Sequence, residues 1–290
     1  MSSIAKIEWR AFFTEFYERI FGAEIFGRAA QVAFYFAFAL FPFLYFLVSL
    51  FGLLLDTSDG LKNELFTYLH QIMPISVFEL LTKTVDEIVV GSTGSKAAIG
   101  LAVTLYAASA GIDAVRNGLN AVYELKERRS FWLTKVQSLS LTLLIMILVA
   151  MVLVTVFYGW QLVQYSLAQV GLQVTSPLVL VTVQWVSILV LMLLVCEITY
   201  NLLPDFKVLR WAWVTPGSVV AILLWIVLTT AFRSYLGYFN SYNRAYGSLA
   251  AVMVMMLWLY LTALALMVGG AINSVWAKLT HREAETVDGR

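Results

Sequence analysis

Few side chains in this sequence are equipped for chemistry, and most of those that are sit inside long apolar runs. Asp113 and Arg116 stand three residues apart, a spacing that places both on one helix face and predicts a local ion pair. Asn117 and Asn120 extend that polar side. An ionisable residue inside a membrane-spanning segment marks a substrate or ion path by default. The competing reading is structural: Asp113 follows Lys96 by 17 residues, about 25 Å along a helix, which carries it towards the far membrane edge. Glu197, beside Cys196 and Tyr200, closes another apolar run. Turned into a bundle it is a proton-coupling or cation-pairing group, whereas reaching out to the surface it has no role. A third constellation, RSYLGYFNSYNRAY over 233–246, interleaves Arg233 and Arg244 with Tyr235, Tyr238, Tyr242 and Tyr246, and with Asn240 and Asn243. Such a pattern can stack nucleic-acid bases. Tyrosines at the headgroup level and arginines paired with lipid phosphates explain it more simply, and a sharper version has the segment recognise the headgroup of one amphiphile.

Other chemistries find no footing. His70 and His281 have no Cys or His neighbour at metal-ligand spacing, and Cys196, the single cysteine, has no intrachain partner for a disulfide. There is no phosphate-binding glycine loop, nucleophile elbow or zinc signature, so neither a catalytic centre nor a cofactor or metal is expected and the chain reads as a non-enzyme. A formal charge of +1 gives no overall reason to expect a nucleic-acid partner.

The elements that must hold these residues follow from hydropathy. With 61% hydrophobic and 13% charged residues, the chain carries more apolar surface than a water-soluble core absorbs. About 20 apolar residues cross a bilayer. Six runs qualify: 29–55, 97–119, 136–165, 178–200, and two more lying between Arg210 and Arg233 and between Arg244 and Lys278. Thr215-Pro216-Gly217 opens the fifth as N-cap and first turn. Pro42 predicts a kink in the first, while Ala110, Ala114 and Gly118, with Gly269 and Gly270, predict close helix contact. With the N-terminus inside, cytoplasmic segments hold thirteen basic residues against five outside, which places both termini in the cytoplasm. Residues 1–28 form a cytoplasmic interfacial helix with Trp9, Phe13, Phe16 and Ile20 on one face, Phe12 beside them, and Arg10, Glu15, Glu18 and Arg19 on others. The six-helix domain covers 29–276, its outer loop 56–96 reads as two amphipathic helices parted by Pro74, and 277–290 is a cytoplasmic tail.

These residues resemble the YihY/virulence factor BrkB family of bacterial inner-membrane proteins, some of which were once labelled ribonuclease BN. The resemblance runs from about Arg28 to Val275 and rests on AAQVAFY over 29–35 with Phe41-Pro42-Phe43, and on GIDAVRNGLNAVY over 111–123. Leu203-Pro204 through Thr215-Pro216-Gly217, FNSYNRAYGSLAAVMVMMLW over 239–258 and GGAIN over 269–273 complete it. The chain departs from the family pattern in having Ala39 where many members have serine, and Ile272 where they have glutamate. The resemblance implies a multi-pass protein of the bacterial inner membrane with a part in exporting lipids or lipopolysaccharide precursors. The metal-binding clusters a ribonuclease needs are absent from the sequence. The sequence therefore predicts an all-α polytopic bundle of six transmembrane helices plus interfacial helices. Its expected work is moving lipids or lipid-linked envelope precursors, with a non-transporting envelope scaffold as the alternative. Asp113, Arg116, Asn117, Glu197, Arg233, Tyr242, Asn243 and Arg244 form the candidate path. Expected partners are membrane lipids and periplasmic or inner-membrane envelope proteins, with self-association left open.

Overall fold

A computed structural model describes residues 9–55, 94–169, 177–206, 211–238 and 248–288. Among these residues the ordered elements are seven helices: α1 (Trp9–Gly22), α2 (Ile25–Leu55), α3 (Gly94–Val122), α4 (Phe131–Gln169), α5 (Pro177–Leu202), α6 (Pro216–Tyr238) and α7 (Ser248–Asp288). Each of the last six overlaps one of the six apolar runs, and α7 continues past Lys278 to Asp288, through most of the segment 277–290 read as a tail. Four carry described stretches long and apolar enough to cross a membrane, namely Phe131–Val152, Val181–Leu202, Pro216–Tyr235 and Val252–Thr280, and Ile25–Leu40 is a shorter apolar stretch. The outer loop with Pro74, and Tyr242, Asn243 and Arg244, lie outside the described residues. The helix of α2 continues through Pro42.

Consecutive helices pack as neighbours from α2 to α7, and α7 returns to α2 to close a six-membered ring while also touching α3. The centre of this packing holds Ile25, Ala29 and Val32 of α2, Val115 and Leu119 of α3, and Ala263, Met267 and Ala271 of α7. Close approach comes from missing side chains. A Cβ on Gly118 would meet Met267, one on Gly270 would meet Leu119, and Gly217 and Gly269 face each other backbone to backbone across α6 and α7. Gly118 and the Gly269-Gly270 pair thus pack closely, as their spacing suggested.

Local chemistry fixes where helices begin and end. Thr215 caps α6, its Oγ1 accepting from the Ser218 amide at 3.3 Å, with Pro216 in the first helical position. Ser130 caps α4, its Oγ accepting from the Leu133 amide at 3.4 Å, so that helix starts at Phe131 and not near Val136. The difference matters because it brings Lys135 into the helix, whereas hydropathy alone places it in the preceding loop. Past the end of α3, Leu125 N–H donates to Asn120 O (2.7 Å) and Glu124 N–H to Ala121 O (3.1 Å), a Schellman ending with Glu124 at φ 56° in the position glycine usually takes.

Helix α1 corrects a second expectation. Phe12 and Phe16 pack against Ile272, Val275 and Trp276 of α7, and Arg19 is buried rather than solvated. Trp9 and Phe13, expected on the same face as Phe16, point away from the protein.

Candidate functional site

Ser109, Asp113, Arg116 and Asn120 recur at steps of four, three and four residues, which confines them to an arc of about 60° on α3. Opposite that stripe, the first two turns of α4 present Thr134, Lys135 and Ser138. Arg116 is 7% exposed. Its Nη2 lies 2.9 Å from Asp113 Oδ1, and its Nη1 donates to Ser138 Oγ at 2.5 Å and to the Thr134 carbonyl at 3.3 Å. Ser138 Oγ donates in turn to Asp113 Oδ1 at 2.5 Å. Lys135 Nζ reaches Asp113 Oδ2 at 3.1 Å and Ser109 Oγ at 2.6 Å, and stands 4.1 Å above the centre of the Tyr106 ring. The predicted Asp113–Arg116 pair is present, and it is part of a cluster spanning two helices.

The turn between α3 and α4 closes this cluster. Glu127 Oε2 lies 3.4 Å from Arg116 Nε and accepts from Asn120 at 3.1 Å, while its carboxylate also takes two bonds from Arg129, Nε to Oε1 at 2.6 Å and Nη2 to Oε2 at 2.7 Å. Asp205, just past α5, accepts from the Arg128 amide at 2.9 Å, and its own amide donates to Asn120 Oδ1 at 2.9 Å. Arg116, Arg128, Arg129 and Lys135 therefore face three carboxylates, Asp113, Glu127 and Asp205, which leaves one positive charge in excess. Arg128 is the cation that opens most to the outside.

The hydrogen bonds from Arg129 hold the Glu127 carboxyl below the ordinary glutamate range, and the same contact raises Arg129. A depressed carboxylate contributes stability above its unfolded value, near 4.3, and loses it as pH falls through the lower folded value. Glu127→Gln is accordingly expected to be less stable than wild type at neutral pH by a few tenths to about 1 kcal/mol, because the pair is part-exposed. That gap should close on acidification below about pH 4. Thermal unfolding in detergent at stepped pH checks this, and a gap that stays constant or widens in acid contradicts it.

A second polar group surrounds Glu197, which is 1% exposed and turned into the bundle. Its Oε1 accepts from the Thr215 amide at 2.7 Å and the Thr215 hydroxyl at 3.0 Å, and its Oε2 accepts from Asn201 at 3.1 Å. Asn273 of α7 donates to Thr215 Oγ1 at 2.9 Å and accepts from the Gly217 amide at 2.7 Å. No Lys or Arg among the described residues pairs with Glu197; amide and hydroxyl donors at the positive end of α6 take that place. The carboxylate thus ties the end of α5 to the start of α6.

The other sequence candidates fall elsewhere. Asn117 is exposed at the margin of the Asp113–Arg116 stripe. Arg233 is exposed towards the far end of α6, about 27 Å along the helix from Thr215, and does not join either cluster. Lys135, Ser138 and Glu127 were missed by the sequence reading. Ser130 was the available signal, since an N-cap there places Lys135 and Ser138 one and two turns into a helix.

A ring of apolar helices with buried ion pairs gathered at one end is the build of a polytopic α-helical membrane protein. Comparison with known proteins agrees. The profile of the family described as virulence factor BrkB matches residues 16–289, and the chain belongs to this family. It is 30% identical over 270 residues to ribonuclease-like protein YfkH of Bacillus subtilis, covering 92% of this chain and 96% of that one. A UPF0761 membrane protein of Xanthomonas oryzae is 31% identical over 83 residues, 29% of this chain and 19% of its own length. Another, Smlt0865 of Stenotrophomonas maltophilia, is 29% identical over 86 residues, 30% of this chain and 20% of its own. The chain therefore matches about a fifth of the length of these UPF0761 proteins. No solved structure matches.

Proposed function

We propose that this protein crosses the bacterial inner membrane six times, with both termini in the cytoplasm, and moves a lipid or lipid-linked envelope precursor between leaflets or on to a periplasmic partner. The observation that carries the reading is the corner formed by Tyr106, Asp113 and Lys135. A lysine stacked over an aromatic ring and paired with a half-buried carboxylate lies about 6 Å along α4 from Phe131, within a cluster that has one cation in excess. Phe131 and Trp132, both exposed, suit the headgroup level, so the corner would meet a lipid phosphate or zwitterion entering from the side. Reconstitution tests this. Labelled phospholipid should cross leaflets faster in proteoliposomes than in empty liposomes, and Lys135→Gln should slow it about tenfold or more, the effect of losing about 1.4 kcal/mol of headgroup stabilisation. Equal rates with and without protein overturn the transport reading.

The scaffold alternative draws on a different observation: Asp113, Glu127, Glu197 and Asp205 are each closed by internal donors. A bundle that rigid suits docking of envelope-assembly proteins, and unchanged lipid crossing together with co-purifying inner-membrane partners would favour it. We read the chain as a non-enzyme on the ground of its sequence, which carries no recognised catalytic motif.

A further inference from the structure

The exposed side of α1 carries an aromatic stripe that the bundle does not use. Trp9, Phe13, Tyr17 and Phe21 follow one another at four-residue steps and are 56–64% exposed. Each step of four advances 40° around a helix, so the stripe is a continuous ribbon on one flank. Its rings lie close to one another, with 6.3 Å between Trp9 and Phe13 and 4.6 Å between Tyr17 and Phe21. The ribbon does not stop at the turn. Phe21 lies 6.1 Å from Phe26 of α2, and exposed Phe34 and Phe38, 4.9 Å apart, carry it up the outer side of that apolar helix. The Arg28 side chain donates to the Ala23 carbonyl at 2.8 Å across this turn, and Glu24, at φ 51°, sets its angle.

Around its circumference α1 therefore has three sectors. Phe12, Phe16 and Arg19 face the protein, the aromatic ribbon faces outward, and exposed Thr14 and Glu18 form the polar edge, with Arg10 between ribbon and edge. The helix is fastened on its inner side. Arg19 pairs with Glu15 at 3.2 Å and with Glu124 at 2.8 Å, and Lys278 of α7 pairs with Glu15. A helix fixed to a membrane bundle by one sector cannot turn its aromatics inward, and four such rings leave on the order of 400 Å² of apolar surface uncovered. That exceeds what a single exposed aromatic explains and is continuous with the outer surface of a spanning helix.

We propose that the α1 ribbon lies in the headgroup-to-acyl zone of the bilayer the bundle occupies, with Trp9, Phe13, Tyr17 and Phe21 among the lipids, Arg10 at the phosphates, and Thr14 and Glu18 in water. The proposal rests on the membrane location argued above but not on transport. It is tested in the full chain, in proteoliposomes of phosphatidylethanolamine and phosphatidylglycerol. Cys196, the single cysteine, is replaced by serine, and a nitroxide is placed singly at residues 13, 17, 14 and 18. The ratio of oxygen to nickel-chelate collisions should be several-fold higher at residues 13 and 17 than at 14 and 18. A high nickel collision rate at 13 and 17 means water, and low rates for both probes mean a protein cover such as a second copy; either result overturns the proposal. A benzophenone amino acid at 13 or 17, with Cys196 retained, repeats the test without the serine replacement. It should capture phospholipid, and capture of protein alone overturns the proposal. Lipid crossing that fails while these probes still report lipid removes the transport reading and leaves this one standing.

Discussion

Gly217→Ala is expected to destabilise the bundle by about 3 kcal/mol, lowering its thermal midpoint by roughly 5 °C or more. The added Cβ would run into the Gly269 carbonyl and the Asn273 side chain, and a Cβ on Gly269 would meet Gly217 O at 2.5 Å and Ala221 Cβ at 2.7 Å. Backbone faces backbone here, so no flexible side chain can yield and α6 must move away from α7. That movement also pulls on Thr215, which caps α6, holds Glu197 and accepts from Asn273. Gly27→Ala is the matched control, since nothing lies within 4 Å of the Cβ it adds. The control is expected to be neutral or slightly stabilising, as alanine favours helix by about 1 kcal/mol over glycine. The nine tryptophans report unfolding directly by fluorescence. Equal midpoints for the two variants would show that α6 and α7 do not meet in this way.

Arg116→Met should cost a similar amount for an electrostatic reason. Methionine keeps much of the length and apolar volume but removes the fork that binds Asp113, Ser138 and the Thr134 carbonyl. Removing one partner of a buried ion pair costs about 3–5 kcal/mol, and the lower end applies here because Asp113 retains Lys135 and Ser138. Arg116→Lys should recover only part of the loss, because an ammonium cannot serve three acceptors in one plane. In a double-mutant cycle, Asp113→Asn should lose part of its own cost once Arg116 is methionine, with a coupling of about 1–3 kcal/mol. Strict additivity would mean that the 2.9 Å contact contributes nothing to stability.

The two predictions differ in how readable their parts were. Glycines at 269 and 270 announced close contact in the sequence, but Gly217 reads there only as part of the helix start, and nothing along the chain shows that it meets Gly269 while Gly270 meets Leu119. The Asp113–Arg116 pair followed from a spacing of three. Its completion did not, because Lys135 stands 22 residues away and the approach depends on how α4 lies against α3. Glu197 was left between pointing inward and reaching outward. Packing decided in favour of the inside, where Thr215, 18 residues on, presents both an amide and a hydroxyl. In α1 the period placed Trp9, Phe13 and Phe16 together as one apolar face, but it could not say that α7 would take only one flank and leave the other outside.

By itself the sequence determined what depends on neighbours along the chain. It set the six apolar runs, the Thr215-Pro216 start of α6, the amphipathic first helix and the gathering of charge at a few positions, because hydropathy and capping act over a handful of residues. The tertiary structure alone decided which helices meet, and so the return of α7 to α2, the Arg128–Asp205 contact across 77 residues and the Asp205–Asn120 contact across 85. Apolar helices resemble one another in hydropathy, so the choice of neighbour falls to side-chain shape and to the partners that buried polar groups require.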